Sequence, residues 1–122
     1  MQRLRALRGA ITVAENDSAA ILEATEELMR ELMARNDLEQ ESMVSCIFTC
    51  TTDLDADFPA VAARNIGLSG VPLLCAREIE VPGALERVIR VMVHCYADPE
   101  REPQHVYLRG AVELRKDLHG AQ

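Results

Sequence analysis

Apolar residues recur at Ile21, Leu22, Leu28, Met29, Leu32 and Met33 in "DSAAILEATEELMRELMARN", with Thr25 on the same side. That spacing predicts an amphipathic helix opening at Asp17 or Ser18, both good N-caps. Glutamates 23, 26, 27 and 31 take the other face and read as solvated helix surface. Before the helix, "LRALRGAITV" (4–13) is a strand whose glycine at position 9 predicts a local irregularity. After it, "SMVSCIFTC" (42–50) is a continuous apolar run of strand length, followed by the polar loop "TTDLDADF". In "FPAVAARNIG", Pro59 suits a first helical position and Gly67 a helix end, which marks a short helix. "VPLLCAREIEV" (71–81) is a strand with its exit loop, "VPG" (81–83) a turn, and "ALERVIRVMVHCY" another strand. "ADPEREP" is a loop, and "QHVYLRGAVELR" a short strand running into a turn or helix. Alternating strands and helices over so short a chain predict an α+β or α/β fold, a mixed β-sheet with helices packed on one face.

The chain has 122 residues, enough for one domain over 1–122 and a real core, and small enough for oligomerisation to add burial. No apolar run reaches membrane length, and arginines interrupt "MQRLRALRGAITV" where a signal peptide needs an apolar stretch. A soluble, cytoplasmic protein without a membrane partner is expected. The net charge of −7 argues against nucleic acid, which requires a basic field. Cys46, Cys50, Cys75 and Cys95 lie in or beside apolar strands without CxxC pairing and read as reduced core residues.

The cations are unusual in kind: twelve are arginine and one, Lys116, is lysine. Surface arginines such as Arg30, Arg35 and Arg101 need no special explanation, but Arg90, inside "RVIRVMVHCY", does. A guanidinium stays charged and is costly to bury unpaired. The familiar chemical motifs are missing. The six glycines are scattered, so there is no phosphate loop, and there is no GxSxG elbow. His94, Cys95 and His105 are the only plausible metal ligands; adjacent strand residues point to opposite faces, so no metal site is expected. What remains is a set of polar residues on the strands, their ends and the short helix: Arg8, Arg64, Glu78, Arg90, Tyr107 and Arg115. Taken singly, each has an ordinary reading as a salt bridge, a helix surface or a core tyrosine with its hydroxyl at the rim.

Together, "LRGAITV" (7–13), "DLDADFPAVAAR" (53–64), "VPLLCAREIEVPG" (71–83), "RVIRVM" (87–92) and "HVYLRGAVELRKDL" (105–118) resemble the monofunctional chorismate mutases of the AroH class, in order and at near-constant spacing. The resemblance spans nearly the whole chain. It implies a homotrimer with a pseudo-α/β-barrel core and active sites between adjacent subunits, where chorismate becomes prephenate on the way to phenylalanine and tyrosine. It implies that Arg90 donates to the ether oxygen of the breaking bond and to the side-chain carboxylate, which Arg8 and Tyr107 also approach. Glu78, with Cys75 beside it, would meet the ring hydroxyl. Phe58, Ala60, Leu73 and Leu74 would form the apolar wall; Arg64 and, from a flexible tail at about 115–122, Arg115 would lie toward the ring carboxylate and the mouth. Two positions depart from the pattern: Val61 stands where some members have lysine, and "LRKDL" replaces the usual "LRPDL".

The missing motifs agree with this chemistry. A one-substrate pericyclic rearrangement needs no base, nucleophile, metal or cofactor, only a compact substrate conformer and fixed positive charge at the oxygen that becomes negative. Two other readings stand beside it: an enamine/imine deaminase of similar trimeric build, and a non-catalytic domain that binds a carboxylate metabolite.

Overall fold

The computed structural model of the chain describes residues 1–117. Five strands and three α-helices follow one another as β1 (Arg3–Thr12), α1 (Ser18–Arg35), β2 (Met43–Cys50), α2 (Pro59–Asn65), β3 (Leu73–Arg77), β4 (Val88–Ala97), β5 (Val106–Leu108) and α3 (Val112–Asp117). Short 3-10 turns at Gln40–Ser42 and Arg109–Ala111 precede β2 and α3. The strands form one mixed, open sheet in the order β3-β2-β4-β1-β5. β4, a long and largely apolar strand, sits at its centre, antiparallel to β1 and β2, while β3 and β5 add in parallel to β2 and β1.

Alternation along the strands divides the sheet into two faces. Leu7 and Ile11 of β1, Cys46 and Phe48 of β2, and Ile89, Val91, Val93 and Cys95 of β4 point to one face and are buried there with Ile21, Leu28, Met29 and Leu32 of α1. Each large side chain so buried contributes about 1.5–3 kcal/mol, which is why the helix stripe and the strand alternation determine each other's position.

The helix ends obey the local rules read from the sequence. Asp17 caps α1, its Oδ1 accepting from the Ala20 amide at 2.8 Å. Pro59 opens α2, and the helix closes in a Schellman arrangement: the Leu68 amide donates to the Ala63 carbonyl at 3.1 Å and the Gly67 amide to that of Arg64 at 3.0 Å, with Gly67 at φ 100°.

Two expectations need correction. Gly9 produces no irregularity, because β1 pairs with β4 without a break from Arg3 to Thr12. The glycine is there for space: a Cβ would lie 3.0 Å from Leu28 Cδ1 and 3.1 Å from Val91 Cγ1. The register shift falls instead in β2, between Met43 and Ser45. Residues 84–87 precede β4 rather than belonging to it, because Arg87 adopts φ 50°, outside the strand region. Of the tail 115–122, residues 115–117 end α3 and the rest lies outside the described residues.

Candidate active site on the open sheet face

The face of the sheet opposite α1 carries the polar residues. Arg90 is paired across β4 with Ala10 on β1 and with Thr49 on β2; Met92 is paired with Arg8 and Ile47, and Ala10 also faces Tyr107 on β5. All of these positions share strand parity, so they rise from one surface, and with Glu78 and Leu114 they line a cavity of about 380 Å³. That volume lies in the range of small-metabolite sites. The small side chain of Ala10 lets Arg90 and Tyr107 stand on either side of it, and beneath them Ala10, Val88 and Ala111 make a minor core.

Arg90 is therefore not a buried cation. Its side chain is 43% exposed, and its Nε lies 3.2 Å from Glu78 Oε2. That contact is an ion pair without hydrogen-bond alignment, since Nε has no hydrogen-bond partner among the described residues. The terminal nitrogens of Arg90 make no hydrogen bond to a described residue either, which leaves both available to a ligand. Glu78 reaches the site because β3 ends at Arg77 and the chain stays tethered one residue on, where the Glu78 amide donates to the Cys50 carbonyl at 2.9 Å. The Thr49 hydroxyl donates to Glu78 Oε2. Behind Arg8, the backbone amide donates to His105 Nδ1 at 3.0 Å, which fixes that nitrogen as the acceptor. Partial burial, and then the Arg8 guanidinium, hold the His105 pKa below the usual histidine value.

Arg8, Glu78, Arg90 and Tyr107 are thus brought together within one chain. Cys75 is not among them. It sits on the other side of β3 from Glu78, packed against the main core, because the two are three positions apart and strand parity reverses. Cys75 lines a second cleft of about 480 Å³ with Phe58, Pro59 and Arg77. Phe58, the residue before α2, is 67% exposed and Leu74 is 60% exposed, whereas Ala60 is buried and Leu73 is half-buried against the core. Arg64 and Arg115 are exposed, on α2 and α3. Thr49, Ile47, Met92 and Leu114 line the cavity although the sequence reading passed over them. The signal for Thr49 was available: Ser45, Ile47 and Thr49 alternate with buried Cys46 and Phe48.

Two of the cysteines, Cys46 and Cys50, are held as thiols. Burial, with Cys95 nearby, pushes Cys46 up to about 12. Burial, then Cys75, carries Cys50 up to about 11. Neither is a thiolate at neutral pH.

The family model for chorismate mutase type I matches residues 4–118. The chain belongs to the type I chorismate mutases. A chorismate mutase AroH from Thermus thermophilus is 50% identical over 121 residues, covering 98% of this chain and 99% of that protein. The chorismate mutase AroH of Bacillus subtilis is 38% identical over 117 residues, covering 94% of this chain and 92% of that one. Among solved structures, a chorismate mutase from Clostridium thermocellum superposes with a TM-score of 0.87 at 47% identity, covering 89% of this chain and 98% of that chain. Neither the deaminase nor the metabolite-binding reading is supported by these similarities. A mutase of this kind fits a cavity whose lining offers guanidinium forks rather than an acid–base pair.

Proposed function

We propose that the chain rearranges chorismate to prephenate in the open-face cavity, with Arg90 supplying the donors to the ether oxygen of the breaking bond. The observation that carries this is the setting of Arg90: half-exposed on the central strand, met at its Nε edge by Glu78, and flanked by Arg8 and Tyr107 on the same surface. In the reaction a C–O bond breaks while a C–C bond forms within one molecule, and negative charge grows on the ether oxygen. A preorganised guanidinium loses no reorganisation energy at that moment. A rate gain of about 10⁶ requires roughly 8 kcal/mol. One well-placed donor supplies about 3–4 kcal/mol, and the rest falls to conformer selection by the carboxylate clamps.

In this reading Arg8 and Tyr107 help hold the side-chain carboxylate, and Glu78 accepts from the ring hydroxyl. Cys75, Phe58, Ala60, Leu73 and Leu74 form the opposing wall, with Arg64 and Arg115 toward the ring carboxylate and the mouth. That wall is contributed by a neighbouring copy in a homotrimer. Two facts support the assembly: the second cleft holds Phe58 and Cys75 away from Arg90, and Phe58, Leu74, Ile79 and Val81 are large apolar side chains left exposed on one chain. The enzyme works in the cytoplasm on the route to phenylalanine and tyrosine. No helix among the described residues is long and apolar enough to cross a membrane.

Mixed trimers test the reading. Arg90→Ala and Phe58→Asp homotrimers should each be nearly inactive on chorismate, followed by loss of its ultraviolet absorbance. Unfolded and refolded together in equal amounts, they should regain up to about a quarter of wild-type activity, because some sites then combine two intact halves across an interface. Full loss in both parents with no recovery in the mixture, at trimer mass by light scattering, would place the two residues in one chain's site or in none.

A further inference from the structure

We infer that Thr49 is a positioning residue for the rearrangement, acting through the Glu78 carboxylate; the inference rests on the open-face cavity being the active site. Thr49 is the β2 residue directly across from Arg90, on the same face. Its hydroxyl donates to Glu78 Oε2, the same oxygen that lies 3.2 Å from Arg90 Nε. A carboxylate can only accept, so the hydroxyl must be the donor. One oxygen of Glu78 is therefore held between a neutral donor on β2 and a cation on β4, while Oε1 makes no hydrogen bond to a described residue and remains able to accept from a ligand.

Glu78 needs this restraint because of where it stands. It lies just past the end of β3, where the ladder has ended and a single backbone hydrogen bond to Cys50 tethers it. Its side chain is 23% exposed. Without the Thr49 hydroxyl the carboxylate loses its hydrogen bond to β2 and can rotate into a bidentate pairing with the terminal nitrogens of Arg90, the favoured geometry for such a pair. That pairing would occupy the donors the substrate needs. Thr49 thus keeps the two terminal nitrogens of Arg90 and Glu78 Oε1 turned to use, without touching the substrate itself.

The test compares Thr49→Val, Thr49→Ser and Glu78→Ala singly, and Thr49→Val combined with Glu78→Ala. Valine keeps the shape and strand preference and removes only the hydroxyl. Thr49→Val should lower kcat by at least about tenfold, the scale of a modest misplacement of a catalytic group, with trimer mass and Tm unchanged. Thr49→Ser should recover most of that loss. In the Glu78→Ala background Thr49→Val should cost almost nothing further, since the group it positions is gone. Full activity in Thr49→Val with a disabled Glu78→Ala would overturn the inference and leave the cavity assignment standing. An additive loss in the double variant would also overturn it, because Thr49 would then act independently of Glu78. Full activity in Glu78→Ala would instead remove the cavity reading on which the inference depends.

Discussion

Replacing Arg90 with lysine separates a structural cation from a catalytic one. Were Arg90 a buried ion pair, breaking its geometry would destabilise the fold by about 3–5 kcal/mol. The side chain is instead 43% exposed and meets a carboxylate that is itself 23% exposed, at 3.2 Å and without hydrogen-bond alignment. Solvent screening reduces such a pair to about 0–1 kcal/mol, and lysine retains the charge. The expected change in Tm is accordingly no more than a few degrees. Activity should respond very differently. Lysine presents one compact charge where arginine presents a planar fork, so it cannot serve ether oxygen and carboxylate together. Loss of one donor at a developing oxyanion costs about 10²–10³-fold, and kcat/KM should fall at least that far, mostly in kcat. The assay is initial-rate loss of chorismate absorbance beside a thermal melt on the same preparation. Near-normal turnover, or a variant that unfolds at ordinary temperature, would refute the reasoning.

Two further outcomes follow from packing and from titration. Gly9→Ala should be destabilising by about 1–3 kcal/mol, because its methyl would press on Leu28 Cδ1 at 3.0 Å and on the stiff, branched Val91 at 3.1 Å; the gain from a less flexible unfolded chain, about 0.4–1 kcal/mol, is smaller, and a chemical melt showing greater stability would contradict the close-packing account. His105 has its folded pKa depressed, by burial first and Arg8 second, so the unfolded chain takes up its proton more readily. The stability it contributes is present above the unfolded value of about 6.5 and is lost as pH falls through the lower folded value. Melting curves should therefore show wild type losing stability below about pH 6.5 more steeply than His105→Asn, whose carbonyl can still accept from the Arg8 amide; parallel curves would dissociate His105 from the acid response.

The parts of the fold legible in the sequence were those governed by periodicity and by local backbone rules. The α1 stripe, the Asp17 cap, and the proline and glycine that bracket α2 are decided within a few residues. What stayed hidden depends on register. Gly9 reads as a defect when only its own strand is considered, and becomes a packing requirement once Leu28 is known to cross above it. Arg90 looked buried because its neighbours in sequence are apolar, yet alternate residues of a central strand belong to different faces, and Ile89 and Val91 say nothing about the surface on which Arg90 stands. For Thr49 the alternation in "SMVSCIFTC" gives the face, but nothing there announces that this position will lie opposite Arg90. The separation of Cys75 from Glu78 was predictable from strand parity alone, and the resemblance drew them together only by supposing a site shared between chains.

The arrangement also resolves how a chain of net charge −7 can hold a dianion. Glu23, Glu26, Glu27 and Glu31 lie on the outward face of α1, and α1 covers the sheet surface opposite the cavity. A helix with its side chains is about 10–12 Å across, and exposed charges are screened over about 8 Å at physiological ionic strength. Those glutamates are thus at least one screening length from the bound substrate, on the far side of a packed core. Among the described residues that line the cavity within one chain, the charged groups are Arg8 and Arg90 against the carboxylate of Glu78. A sequence-wide charge count describes solubility and long-range repulsion, whereas the field inside the cavity is decided by which residues share the parity of Arg90 across β1, β2 and β4.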